Sequence, residues 1–161
     1  MYSHDGLKDS LTNLAAPGLF YEELRRGILR TERSGNQLSL IRLILGRAVK
    51  EEFADESNLQ LPDDMEILKF ADILLRLTRG EDLCARMGEM EFIVLLFAPQ
   101  PVAKNYIQRV SREWNVSSAE RNDWESHISV KIIASCLTSQ SGQSALELLQ
   151  NLDHIPLTSY A

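Results

Sequence analysis

Leu83-Cys-Ala-Arg-Met-Gly-Glu-Met-Glu-Phe-Ile-Val-Leu-Leu-Phe97 holds two apolar runs divided by a short polar stretch. Both runs, 83–87 and 91–97, read as strands, and Gly88-Glu89-Met90 is short enough to join them as an antiparallel β-hairpin. Upstream, Met65, Leu68, Ala71 and Leu75, with Ile67, Leu74 and Leu77, form a wide apolar stripe at helical spacing. Pro62-Asp63-Asp64 opens that helix, with Asp64 as the expected N-cap, and Arg79-Gly80 lies at its end. Leu38 to Leu45 reads as a buried strand after a first amphipathic helix that carries Phe20, Leu24 and Ile28 and stops at Ser34-Gly35-Asn36. Downstream come a helix from Pro99 to Trp114, a strand from Ile128 to Cys136 and a short helix carrying Ala145, Leu148, Leu149 and Leu152. The segments 46–61 and 115–127 are polar and lack periodicity. The middle is therefore βαββαβ. This predicts an α+β sandwich of ferredoxin-like or palm type, an antiparallel-containing sheet with helices on one face.

Composition sets the outer bounds. The chain has 161 residues, 44% apolar and 25% charged, which suits one globular domain spanning 1–161 with a core large enough to stand alone. Its net charge of −6 argues against a generic sheath for nucleic acid or anionic lipid, so any nucleotide must be held locally. Cys84 and Cys136 lack CxxC or Cys/His spacing and read as reduced core residues. No apolar run approaches the roughly 18 residues of a membrane span, and residues 1–9 lack a signal peptide's basic and apolar regions. A cytoplasmic protein without membrane contact or nucleic acid is the expectation. His4, His127 and His154 are scattered without metal-ligand spacing. Trp114 and Trp124 read as packing residues, and Arg25, Arg26, Arg30 and Arg33 as a solvated face.

Specific residues then resemble a known family. Asp9-Ser-Leu-Thr-Asn-Leu14, followed by Leu19-Phe20, resembles the DxLTGLxNRxxF opening of GGDEF domains, the diguanylate cyclases. Arg86-Met-Gly-Glu-Met-Glu-Phe92 resembles that family's RxGGDEF hairpin and falls between the two strands expected to carry it. Asp64 resembles the acidic residue of the GDxxL helix start, and Leu152-Asp153 the alanine-aspartate pair of the last helix. The resemblance covers nearly the whole chain.

Within the resemblance, the departures bear on chemistry. The family joins two GTP molecules using two Mg²⁺ or Mn²⁺ ions, held by an aspartate at the end of the first strand and by the acidic third position of the hairpin motif. By alignment these positions are Ile44 and Met90, neither of which offers an anionic oxygen. Glu89 replaces the second glycine of Gly88-Glu89-Met90-Glu91-Phe92, adding bulk and charge where the family's backbone approaches phosphate. Tyr160 stands near the place of a phosphate-binding lysine. The resemblance therefore implies a degenerate domain with no catalytic residues and no metal or cofactor. Asp64 matches a position that helps to hold guanine, while its partner asparagine falls somewhere among Glu52, Asp55 and Asn58.

Arg79-Gly80-Glu81-Asp82 matches in spacing the family's inhibitory RxxD site for cyclic di-GMP. An arginine fork can donate to guanine O6 and N7 while a carboxylate accepts from N1 and N2. The plain alternative is that Arg79 caps its helix and Asp82 ends a turn. The sequence thus points to an inactive domain that serves as a cyclic di-GMP receptor or regulatory module through Arg79 and Asp82, with a protein partner or homodimer. The alternative is an interaction module without nucleotide affinity on the same scaffold.

Overall fold

A computed structural model describes residues 6–49, 59–119 and 128–160. Nine elements follow in order: α1 (Pro17–Ser34), β1 (Ser39–Val49), α2 (Asp64–Leu77), β2 (Leu83–Arg86), β3 (Glu91–Leu96), α3 (Gln100–Ala119), β4 (Ile128–Thr138), α4 (Ala145–Asp153) and β5 (Thr158–Ser159). The strands form one sheet in the order β2-β3-β1-β4-β5, with every neighbouring pair antiparallel. The expected βαββαβ core and hairpin are both present.

Element boundaries and caps differ from expectation. The helices of the βαββαβ core, α2 and α3, share one face as expected, and the flanking helices α1 and α4 cover the other. Ile41, Leu43 and Leu45 of β1 pack with α2 and α3, whereas Leu38 and Leu40 join Phe20, Leu24 and Ile28 of α1 and Leu148 and Leu152 of α4. A near-continuous apolar strand has two faces to bury, and each requires its own helical cover. Strand β1 runs on to Val49, because its ladder with β4 continues through Gly46↔Lys131 to Val49↔Ile128 despite fading apolar content. At Gly46 a Cβ would stand 2.6 Å from that of Leu59, so glycine allows Leu59 to close on the strand. Helix α3 likewise extends past Trp114 to Ala119.

The ends of the helices show the remaining local logic. Gly35 takes the left-handed conformation (φ 75°) and its N–H donates to the Thr31 carbonyl, closing α1. The N-cap of α2 is Asp63, not Asp64. Asp63 Oδ1 accepts from Glu66 N at 2.8 Å, and Glu66 Oε1 accepts from Asp63 N at 2.9 Å. Asp63 with Glu66 three residues on is a capping-box pattern, a signal present in the sequence. Asp64 is the first helical residue and is exposed. The other end closes at Thr78 in extended conformation, so neither Gly80 nor Arg79 caps the helix.

Trp114 is buried edge-on against Phe70, and Lys69 lies over its ring at 4.9 Å. Cys84 is buried, Cys136 is half-buried and both are free thiols. Trp124, His4, His127 and the segment with Glu52, Asp55 and Asn58 lie outside the described residues.

Candidate functional site

Strand β2 is four residues long, and the two candidate regions stand at its ends. At its C-terminal end, Met87 N and Gly88 N both donate to the Glu91 carbonyl, at 2.8 and 3.3 Å, and close the hairpin. The turn is braced from within. Arg86 NH2 donates to the Glu89 carbonyl at 3.0 Å, while its NH1 meets Asp9 Oδ2 at 3.2 Å. Asp9 is buried and also accepts from the backbone N–H and hydroxyl of Thr12, at 2.8 and 2.6 Å. The N-terminal Asp9-x-Leu-Thr stretch thus fixes the arginine that fixes the hairpin. Beyond it, Ala15 N donates to the Cys84 carbonyl and Arg86 N to that of Ala15, so the same stretch covers the outer edge of β2.

Register places Ile44 opposite Glu91, and Leu45 N donates to the Met90 carbonyl at 3.0 Å. The two positions aligned to the family's cation ligands are therefore neighbours in space. They are filled by an apolar cluster of Ile44, Ala48, Leu59 and Ile133, with Met90 and Leu157 packed against it. An aliphatic side chain and a thioether do not fit a hard divalent ion, which takes oxygen ligands. Glu91, the nearest carboxylate in the motif, meets Arg42 Nε at 3.2 Å. Among the described residues no cluster of three or more His, Cys, Asp or Glu could hold a metal. Phe92 is fully buried, with its ring 5.1 Å from that of Phe70. Gly88 is half-buried, Glu89 exposed and Met90 half-buried.

At the N-terminal end of β2, Arg79 and Asp82 are brought together. Arg79 Nε donates to Asp82 Oδ2 at 3.2 Å, and Phe97 N donates to Oδ1 at 3.0 Å. The Asp82 side chain is 1% exposed and that of Arg79 is 56% exposed. The carboxylate therefore ties the start of β2 to the end of β3 and orients a guanidinium whose outer edge faces solvent. Arg79 also approaches Glu81 at 3.6 Å.

Both residues line a cavity of about 170 Å³ with Leu96, Val102, Asn105 and Arg109. Arg109 and Asn105 are exposed residues of α3, and sequence reading did not single them out. Their signal was weak. Ala103, Tyr106, Ile107 and Val110 form the buried side of α3, and Asn105 and Arg109 fall beside it. Which neighbour they would meet depends on the packing of α3 on α2.

The cavity backs onto a buried polar knot. Tyr106 OH donates to the Leu74 carbonyl at 3.2 Å and lies 3.1 Å from Thr78 Oγ1, which sits 2.9 Å from Cys84 Sγ. Burial pushes both the Cys84 thiol and the Tyr106 hydroxyl above their ordinary pKa values. Asp64 stands exposed at the start of α2, the chain Leu152-Asp153 closes α4 with Leu152 buried and Asp153 exposed, and Tyr160 is half-buried with its N–H donating to the Ile132 carbonyl.

Residues 7–156 match the sequence profile of the family described as "Diguanylate cyclase, GGDEF domain". The chain belongs to the GGDEF-domain family. No curated protein matches the chain in sequence. Solved structures agree on the fold. The GGDEF domain of DgcB from Caulobacter crescentus, in complex with c-di-GMP, superposes with a TM-score of 0.68 at 22% identity, over 95% of this chain and 86% of that one. The GGDEF domain of FimX from Pseudomonas aeruginosa gives 0.63 at 15% identity, over 91% and 88%. The diguanylate cyclase SiaD of Pseudomonas aeruginosa, in complex with its activator SiaC, gives 0.66 at 21% identity, over 91% of this chain and 55% of that one. No helix of the described GGDEF fold is long and apolar enough to cross a membrane.

Proposed function

We propose that this GGDEF domain is a receptor or regulatory module for cyclic di-GMP that does not synthesise it. The observation that carries the binding half is the cavity shared by Arg79 and Arg109 from separate elements, with Asp82 holding Arg79 by Nε. A guanidinium held by one edge keeps its other nitrogens for a planar double acceptor such as guanine O6 and N7. Arg109 adds a second cation from α3, suited to a phosphate. At about 170 Å³ the cavity suits one base of the ligand, not the whole; pockets that enclose a drug-sized molecule start near roughly 300 Å³. Asp82 is a positioning residue in this reading, its carboxylate reaching guanine N1 and N2 only where Arg79 swings aside. The complex of the DgcB domain with c-di-GMP supports the choice of ligand.

The inactive half is supported by Ile44 and Met90, which meet in an apolar cluster where the family would place its cation ligands. Glu89 adds a side chain to the hairpin turn. The alternative of an interaction module without nucleotide affinity draws on the exposed apolar residues of α2.

Calorimetry with cyclic di-GMP tests the reading. The parent domain gives a saturable binding heat, and Arg79→Ala and Arg109→Ala each remove most of the affinity. No heat from the parent at high micromolar ligand would leave the interaction module standing. Incubation with GTP and Mn²⁺ gives no cyclic di-GMP above a protein-free blank; product there refutes the inactive half.

A further inference from the structure

We propose that the groove between α1 and the loop entering α4 binds a short peptide by both its termini, the ammonium toward the end of α1 and the carboxylate toward the start of α4. Two cavities of about 490 and 280 Å³ make the groove, and they join at Ile28, Glu32 and Gln143, which line both. The larger alone lies in the size range of pockets that enclose small molecules. No residue of the groove lines the Arg79 cavity, so this site and the nucleotide reading stand or fall separately.

Charge, spacing and wall chemistry select the occupant. Glu32 lies in the last turn of α1, where the carbonyl end of the helix disfavours an anion. Carboxylate and helix end together call for a cation in the larger cavity, and among the described residues no Lys, Arg or His lines it. The smaller cavity adds Arg25 and the start of α4, marked by the N-cap Ser144 and by Ala145. A guanidinium and a helix N-terminus both favour an anion. Arg25 meets Glu22 at 3.0 Å, but both side chains are more than half exposed, and such a pair is too weak to withhold the guanidinium from a ligand. Glu147 turns back on the Ser144 hydroxyl at 3.1 Å and lines neither cavity.

Arg25 and Glu32 share one face of α1 two turns apart, about 10 Å along the axis. That is roughly the span of three extended residues, and a single amino acid cannot reach both. Asn36, Gln37, Gln140 and Gln143 bring primary amides to the larger cavity, and each amide both donates and accepts, as a peptide backbone requires. Gln143 Oε1 accepts from Gln140 N at 2.8 Å, which leaves its NH2 to donate. Ile28, Leu29 and Ala145 give the smaller cavity an apolar floor for one side chain. Glu32 and the end of α1 repel a phosphate from the larger cavity, and a polyamine would set an ammonium against Arg25. Only a ligand with opposite charges at its two ends satisfies both termini of the groove.

NMR titration with the tripeptide Ala-Leu-Ala tests the proposal, the amide resonances of Gly35, Gly142 and Gln143 reporting on the groove and thermal melts controlling for folding. The free tripeptide shifts these resonances saturably, with a Kd of about 1 mM or below. N-acetylation of the peptide and, separately, Glu32→Gln each weaken binding at least about tenfold, and together they cost little more than either alone, because they remove the same contact. Amidation of the carboxylate and Arg25→Gln form a second such pair, at about three- to tenfold. No shift of these resonances at about 10 mM tripeptide overturns the proposal. So does an acetylated peptide that binds as well as the free one, or spermidine that moves the same resonances as strongly and through Glu32, which would make the groove a site for amines alone.

Discussion

The two ends of β2 carry opposite chemistry on one short strand. At the hairpin end a buried pair, Arg86 with Asp9, holds the turn from inside, and the neighbouring aligned positions Ile44 and Met90 are apolar. At the other end a buried carboxylate, Asp82, holds a half-exposed arginine, and a second arginine shares its cavity. Both ends use an arginine and an aspartate. They differ in which partner faces water: Arg86 is enclosed, so its charge serves the fold, while Arg79 keeps an open edge that can serve a ligand. An arginine–aspartate pair read from sequence therefore says little until burial assigns the role.

The largest effect in this contrast comes from Arg86→Ala. It strands the buried Asp9 carboxylate and frees the Glu89 carbonyl, and we expect a loss of about 3–5 kcal/mol in chemical denaturation. A loss below about 1 kcal/mol would make Arg86 no more structural than an exposed pair. Next, Ile44→Asp combined with Met90→Asp puts two carboxylates side by side within the apolar cluster. Stability should fall by about 3 kcal/mol without divalent ions, and Mn²⁺ should raise the melting temperature of the variant but not of the parent. Indifference of the variant to Mn²⁺ would mean that oxygen donors are not all that this end lacks.

Asp82 and Arg79 sharpen the comparison at the other end. Asp82→Ala removes the acceptor of the Phe97 N–H and should cost about 1–3 kcal/mol together with ligand affinity. Arg79→Ala, at an exposed group, should cost under about 1 kcal/mol while losing the same affinity. Equal stability losses would erase the distinction between the two roles.

A further effect belongs to the knot behind the cavity. Burial raises the Cys84 thiol from its ordinary 9.0 and the Tyr106 hydroxyl from 10.0. Above these values the unfolded chain loses protons that the native state keeps, so stability is full at neutral pH and falls as pH rises beyond about 9. Tyr106→Phe should cost about 1 kcal/mol at pH 7 and make that alkaline fall shallower. An unchanged slope would exclude Tyr106 as a source of it.

Much of this was readable in the chain. The hairpin and the alternation of helix and strand follow from apolar spacing, because one face of each element must leave water. The Arg79–Asp82 pairing follows from three-residue spacing across a turn. The capping box at Asp63 and Glu66 is equally readable from its three-residue spacing, one residue before the expected N-cap at Asp64. Other features were out of reach. Arg109 lies far from Arg79 in sequence and joins it only through the packing of α3 on α2. The enclosure of Asp82 depends on Phe97, fifteen residues away at the end of the neighbouring strand.

By itself the sequence determined the order of elements, the family motifs and the atoms available to them, since spacing and side-chain chemistry are local properties. Only the tertiary structure decided that both faces of the sheet are covered, which arginine keeps an open edge, and that Ile44 and Met90 meet. Those outcomes depend on solvent exclusion and strand register, which come into being only when distant segments pack together.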